Sequence, residues 1–482
     1  MSEDRNEKKD AVSRFIGFLD DRIGFSKTFL RPPPVHTLNP FAWLGALAVL
    51  AFFAQGITGV LMMLYYVPTP DSAYQSTTNV IQKIPMGSLL ETFHLYMAYA
   101  MILIVFMHLM RNYFASVGKK PRELMWVVGF VMGVLTLGQA LTGYLLPWSV
   151  LSKSATDVFI GTLGVLPSQL FLPVKYLLTG TGSDAQELFH FFVFHTVVIP
   201  FTLFILIVLK IYMYEIHGHA PPASGIKEGQ ERAVPFFWDA TWYMLMIGAA
   251  FVAVVIVVSS VFPLSLPPEY SPQAAAQAVV QPDWYFLWLY QVLKFQFFAG
   301  PNEPLAIGII TVFFIVLAII PFIDRKKERD PMKRPWYVTL GGIMVAEIVV
   351  LTIWGYLTPG QNAPTGQVIE IMGGTAILVI FVFWLAYRWK AMTSKRLTAA
   401  EIVSSVKFLK QPFENKGPTF LFLVLLAVAS YAMASTVSAL TVPGYSLTYL
   451  VSNTLLLGVS LYAMSKLLKY LVQNYEMQVK NR

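Results

Sequence analysis

Cysteine is missing from all 482 residues, so this chain alone builds no disulfide, thiolate metal site, cysteine-held iron–sulfur cluster or thioether-linked cofactor. Charge is scarce as well. Asp, Glu, Lys and Arg make up 13% of the sequence, against roughly 25% in soluble domains, while 56% of it is hydrophobic. That balance excludes an ordinary water-soluble globule and predicts an all-α polytopic membrane protein. Residues 1–10 are highly charged and lack an apolar core, so no cleavable signal peptide is expected there. The net charge of +8 is not a nucleic-acid footprint, because the basic residues gather between apolar runs, where they orient a protein in its membrane.

What is present is a series of apolar segments, each able to cross a hydrocarbon core of about 30 Å, which takes about 20 helical residues. About ten transmembrane helices are expected, over residues 41–67, 89–114, 124–148, 188–214, 240–266, 305–323, 337–357, 371–387, 418–440 and 445–466. Ahead of them, Val12, Phe15, Ile16, Leu19 and Ile23 recur at helical spacing, as in an amphipathic helix lying along a membrane surface. The loops after the second, fourth, sixth and eighth spans hold most of the Lys and Arg, among them Lys119, Lys120, Arg122, Arg325, Lys326, Lys327, Arg329, Lys333 and Arg334. The positive-inside bias therefore predicts a multi-pass protein of the cytoplasmic membrane with both termini in the cytoplasm.

The second span carries His94 and His108, fourteen residues apart, which sets two imidazoles on one helical face about 21 Å apart along the axis. The fourth span carries His195 and, fifteen residues on, Lys210. Both spans run from outside to inside. His94 and His195 therefore share an outer level, His108 and Lys210 an inner one, and two helices side by side are able to clamp two flat cofactors. The first and third spans run the other way and carry Gly45 and Gly59, and Gly129 and Gly143, again fourteen apart. A glycine there removes the side chain where a planar ring approaches the backbone; close helix packing is the competing explanation. For the histidines the competing explanation is a satisfied polar residue between helices, but intramembrane ionisable groups are rare and usually functional.

This layout, with Gly143-Tyr144-Leu145-Leu146-Pro147-Trp148 closing the third span and Gln281-Pro282-Asp283-Trp284-Tyr285 after the fifth, resembles cytochrome b of the Rieske/cytochrome b quinol oxidoreductases over roughly residues 12–323. The fifteen-residue spacing is similar to the chloroplast bf branch and the number of spans to the bc branch, so the resemblance is to the superfamily, as a deep-branching prokaryotic member. It implies an N-terminal four-helix dihaem bundle holding two non-covalent b haems and a quinol-oxidation pocket near the outer face. The domains expected are an interfacial segment (1–40), the dihaem bundle (41–235), a C-terminal region bearing the quinol-site loop (236–390) and an appended two-helix extension (391–482).

Carried onto these positions, the resemblance implies His94 and His195 as iron ligands of the outer haem and His108 as one ligand of the inner haem, with Gly45, Gly59, Gly129 and Gly143 as the clearances and Arg111 beside an inner haem propionate. Where the family has a second histidine in the fourth span, this chain has Lys210. An amine binds iron only as the neutral base, so ligation by Lys210 requires a site that disfavours the ammonium; a snorkelling lysine is the competing role. In the outer loop Asp283, in the place of a family glutamate, is the expected acceptor of a quinol proton, with Tyr285 beside it. His190 has no partner at the matching spacing. Glu347 sits mid-span without an evident partner, and Tyr214, Glu215, His217, His219 and Asp239 are able to serve an inner quinone or to be loop residues. The implied function is a dihaem subunit of a respiratory complex that passes electrons from quinol to a Rieske partner and across the membrane, with proton translocation. A Rieske iron–sulfur protein, further redox subunits, membrane lipid and a homodimer of complexes are the implied partners. Two rivals predict different facts: another dihaem quinone-linked anchor lacks the Pro-Asp-Trp-Tyr loop, and a proton-coupled transporter is colourless.

Overall fold

A computed structural model describes residues 40–220, 240–279 and 281–393, with a few isolated positions beyond them. The amphipathic segment at 12–23, Asp239 and the spans expected at 418–440 and 445–466 lie outside the described residues, apart from isolated positions in 418–440. Within them the chain is helical, with no β-strand beyond two isolated bridges. Eight helices are long and apolar enough to cross a membrane.

The helices are α1 (Leu44–Met63), α2 (Pro70–Lys83), α3 (Gly87–Phe114), α4 (Glu123–Leu145), α5 (Val150–Leu163), α6 (Ser168–Thr179), α7 (Asp184–His217), α8 (Thr241–Val261), α9 (Pro272–Gln277), α10 (Leu287–Leu293), α11 (Glu303–Ile323), α12 (Pro335–Leu357) and α13 (Thr365–Thr393). The spanning ones are α1, α3, α4, α7, α8, α11, α12 and α13. Sequence signals set their ends where polar caps exist: Ser149 and Ser152 form a reciprocal capping box at α5, and Ser183 accepts from the Gln186 amide to start α7. That cap starts the fourth span at Asp184, four residues before its apolar run.

Apolar side chains stay exposed along the spans, including Ile57, Val60 and Leu64 near α1 and Ile309, Val312 and Ile315 on α11. A soluble protein does not tolerate such a surface, whereas lipid covers it at no cost. Inside, α1 packs against α3, α4 against α3 and α7, and α8 closes over α3 and α1. The interior contact of α1 and α3 with α8 is built from Ala51, Met97 and Val255.

Polar contacts sort the loops into two faces. At one, Lys119 pairs with Asp324 at 2.8 Å, Arg334 reaches the same carboxylate at 2.5 Å and also bonds Ser116, and its guanidinium lies 3.9 Å above the Tyr337 ring. The loops after α3 and α11 are thereby tied. Arg122 adds the end of α7 to this face by donating to the carbonyls of His217, Gly218 and His219, a cation on a helix C-terminus. At the other face the chain after α4 meets the chain after α8: Val150 donates to the Pro268 carbonyl and Tyr270 to that of Trp148. Trp148, buried and at φ 53°, adopts a left-handed conformation unusual for a bulky residue, held by these contacts.

Candidate functional site

Helices α1, α3, α4 and α7 bring the four candidate ligands against the four glycines. A Cβ on Gly59 would stand 3.4 Å from His94 Cε1, and one on Gly45 3.1 Å from His108 Cε1. On Gly143 it would collide with the His195 ring, and on Gly129 with Lys210 Nζ. Each ligand candidate therefore rests on one glycine, two from α1 and two from α4.

At the outer level the rings of His94 and His195 face each other with centroids 6.3 Å apart and planes at 70°. Two metal–nitrogen bonds of about 2 Å and two ring radii of about 1 Å span about the same distance. The far side of each ring is already committed. Thr58 Oγ1 spends its proton on the Ala54 carbonyl at 2.8 Å, so it accepts from His94 Nδ1, also at 2.8 Å. His195 Nδ1 donates to the Gln139 carbonyl at 2.9 Å. Both rings are thus held as the tautomer whose Nε2 keeps a free lone pair, the arrangement that orients metal-bound histidine. The donor set fits an iron porphyrin.

His195 lies in a π-helical turn, Phe194–Val198, inside α7. Such a turn accommodates one residue more than the α-helix. The fifteen residues from His195 to Lys210 therefore cover the rise of fourteen, which matches the spacing on α3 and both glycine pairs. The turn exposes the His195 carbonyl, and Pro200 has no N–H to offer it. Gln139 fills the gap: its Nε2 donates to that carbonyl at 2.6 Å while its own carbonyl receives the imidazole.

The inner level is looser. His108, Lys210, Gly45 and Gly129 line a cavity of 1360 Å³ that also takes in Arg111 and Asn112, larger than the roughly 300–1,000 Å³ of most ligand pockets. His108 Nδ1 is buried with no hydrogen-bond partner among the described residues, and Nε2 faces Asn112 Nδ2 at 3.0 Å. Asn112 Oδ1 in turn accepts from Arg111 at 3.0 Å. An orphaned ring nitrogen, an amine and two glycine clearances around one cavity fit a planar metal cofactor held by two unlike residues.

Asp283 is held on both carboxylate oxygens. Oδ1 accepts from Tyr99 of α3 at 3.0 Å and Oδ2 from Tyr285 at 3.1 Å. Tyr99 is five residues past His94 on α3, so the carboxylate is tied to the helix that carries two of the candidate ligands. Burial pushes the Asp283 carboxyl above its usual range, against the two phenol hydrogen bonds that hold it down. Tyr285 and Trp284 line the large cavity.

Other expected positions are placed apart. His190 Nδ1 lies 2.9 Å from the Leu177 carbonyl, away from the histidine pair. Glu347 Oε2 is buried with no hydrogen-bond partner among the described residues. Tyr214, Glu215 and His219 line the inner end of the cavity. Sequence reasoning passed over Thr58, Gln139, Tyr99 and Asn112. The available signal was weak but real: each is a polar side chain within an apolar span, one to five residues from a ligand candidate or its glycine.

Two family models match the chain, Cytochrome b/b6/petB over residues 31–218 and Cytochrome b(C-terminal)/b6/petD over residues 272–381. The sequence is 30% identical to cytochrome b of Sulfolobus acidocaldarius over 431 residues, covering 82% of this chain and 75% of that protein. It is 31% identical to the cytochrome bc complex cytochrome b subunit of Chlorobaculum thiosulfatiphilum (72% and 81% covered) and 38% identical to cytochrome b6 of Heliobacterium mobile (40% and 90% covered). The fold is shared with a chain of a hyperthermophilic respiratory Complex III, at TM-score 0.63, 24% identity, and 77% and 97% coverage.

Proposed function

Since the chain belongs to the cytochrome b family, we propose that it is the dihaem subunit of a quinol-oxidising respiratory complex, working with a Rieske iron–sulfur protein and moving protons across the cytoplasmic membrane. A membrane protein with the redox role of a bc-type cytochrome b is the part of this that follows from the family itself, as is b-type haem. The finer reading rests above all on one observation: two imidazoles 6.3 Å apart, each with Nδ1 engaged and Nε2 free.

Bound at the two levels, haem would supply one-electron transfer between the membrane faces. The chain's own residues do the rest. His94 and His195 offer Nε2 lone pairs at the outer level, oriented by Thr58 and Gln139. His108 and Lys210 would hold the inner haem, Lys210 as a neutral amine, with Arg111 placed to balance a propionate. Gly45, Gly59, Gly129 and Gly143 leave room for the ring. Asp283 takes a proton from a quinol hydroxyl, with Tyr285 fixing its Oδ2. The quinone reacts beside Trp284 and Tyr285 in the large cavity.

Residues 41–235 are the haem-bearing unit, 236–390 the region of the quinol loop and 391–482 an appended extension. Further redox subunits and pairing of two complexes complete the assembly, with both termini in the cytoplasm. The test is a dithionite-reduced minus oxidised spectrum with haem extraction from the purified complex. Two b haems per chain and co-purification of a Rieske protein are expected; a colourless chain, or one haem, overturns the reading.

A further inference from the structure

The side chain that meets Asp283 from the membrane interior belongs to a different element from the loop that carries it. Tyr99 projects from the middle of α3, and its ring is boxed between Trp284, edge-on at 6.2 Å, and Tyr285 at 6.0 Å, with Tyr96 on its own helix at 6.0 Å. A phenol packed by three aromatic neighbours has little rotamer freedom, so its hydroxyl arrives at one place. There it donates to Asp283 Oδ1, while Tyr285 donates to Oδ2.

An aspartate is one methylene shorter than a glutamate and reaches less far from its backbone. The geometry points to Tyr99 as a positioning residue for quinol oxidation: it fixes the short Asp283 carboxylate from the membrane side and sets the pH at which that carboxylate accepts a proton. This rests on Asp283 being the proton acceptor of the proposed reaction.

Both oxygens accept one phenol proton, and each retains a second lone pair for a quinol hydroxyl. When a proton arrives on that second lone pair, the Tyr99 hydroxyl still donates to Oδ1, but now to a neutral carboxyl, with no heavy atom displaced. The carboxylate form receives both hydrogen bonds as charge-assisted ones, whereas the protonated form receives weaker, neutral ones. Tyr99 therefore favours the charged, proton-accepting state. The titratable groups facing Asp283 are Tyr99 from α3, Tyr285 from its own loop and Tyr144 from α4, which lies within electrostatic range.

The experiment is the pH dependence of kcat/KM for quinol oxidation by the intact complex, with haem content as the control for assembly. Tyr99→Phe removes one hydroxyl, and the acid limb is expected to move up by about half to one pH unit. Trifluorotyrosine at position 99 has nearly the same shape and is a stronger donor; it is expected to move the limb down. Should the phenylalanine variant fail to assemble, this opposite shift alone decides. A limb that stays in place in the assembled variants overturns the role of Tyr99. Asp283→Asn separates the two failures: if it leaves quinol oxidation intact, the assignment of Asp283 as acceptor is what fails. If it abolishes turnover while the Tyr99 variants leave the limb unmoved, only the present inference fails.

Discussion

The outer and inner levels of the bundle use the same scaffold and hold their ligands in different ways. Each has one donor from α3, one from α7, and one glycine from each of α1 and α4. At the outer level both rings are fixed by Thr58 and Gln139. At the inner level His108 is satisfied on one nitrogen by Asn112 and orphaned on the other, and Lys210 is a flexible amine facing a wide cavity. The contrast teaches that matched spacing along two helices brings donors together in depth, while the orientation of each donor depends on neighbours that the spacing does not reveal.

The largest test removes a fixed donor. His195→Ala leaves the outer level with one ligand, and haem extraction should fall from two per chain to about one, with the inner spectrum retained; loss of both together would mean that the levels are not independent. Next, Lys210 tests whether the inner level has two axial donors at all. Lys210→Ala should change the inner spectrum from low-spin, while Lys210→His should keep it low-spin and shift only the inner midpoint potential; an alanine variant with an unaltered spectrum removes Lys210 from the iron. Third, Gln139→Leu deprives the buried His195 carbonyl of its donor, a loss worth about 1–3 kcal/mol. A lower unfolding temperature and outer haem released about tenfold faster should follow, with the inner haem unaffected. The smallest effect is expected for Thr58→Val, which keeps shape and drops one acceptor. It should shift the outer potential alone, as read in a redox titration.

Much of this architecture was legible beforehand because hydropathy and ligand periodicity are long-range patterns in one dimension. The eight spans from α1 to α13 follow from apolar length, and the depth matching of His94 with His195 and of His108 with Lys210 follows from helical rise and loop charge. The π turn was not legible: it depends on Pro200 denying a donor and on Gln139 of another helix supplying one. It lets the fifteen-residue interval on α7 cover the same rise as the fourteen on α3. Asp283 shows the same limit. Its place in a loop names no partner, yet Tyr99 of α3 donates to its Oδ1, a tertiary hydrogen bond between residues far apart in the chain.

Gln139 has a consequence of its own. A single amide residue grips both the backbone and the ring of His195, so the heading of that imidazole is geared to the alignment of α4 with α7. A slide of one helix past the other would break both grips at once. The angle of the outer ring is thus a mechanical read-out of helix register, and forces that tilt the bundle in thicker or thinner bilayers are transmitted straight to it.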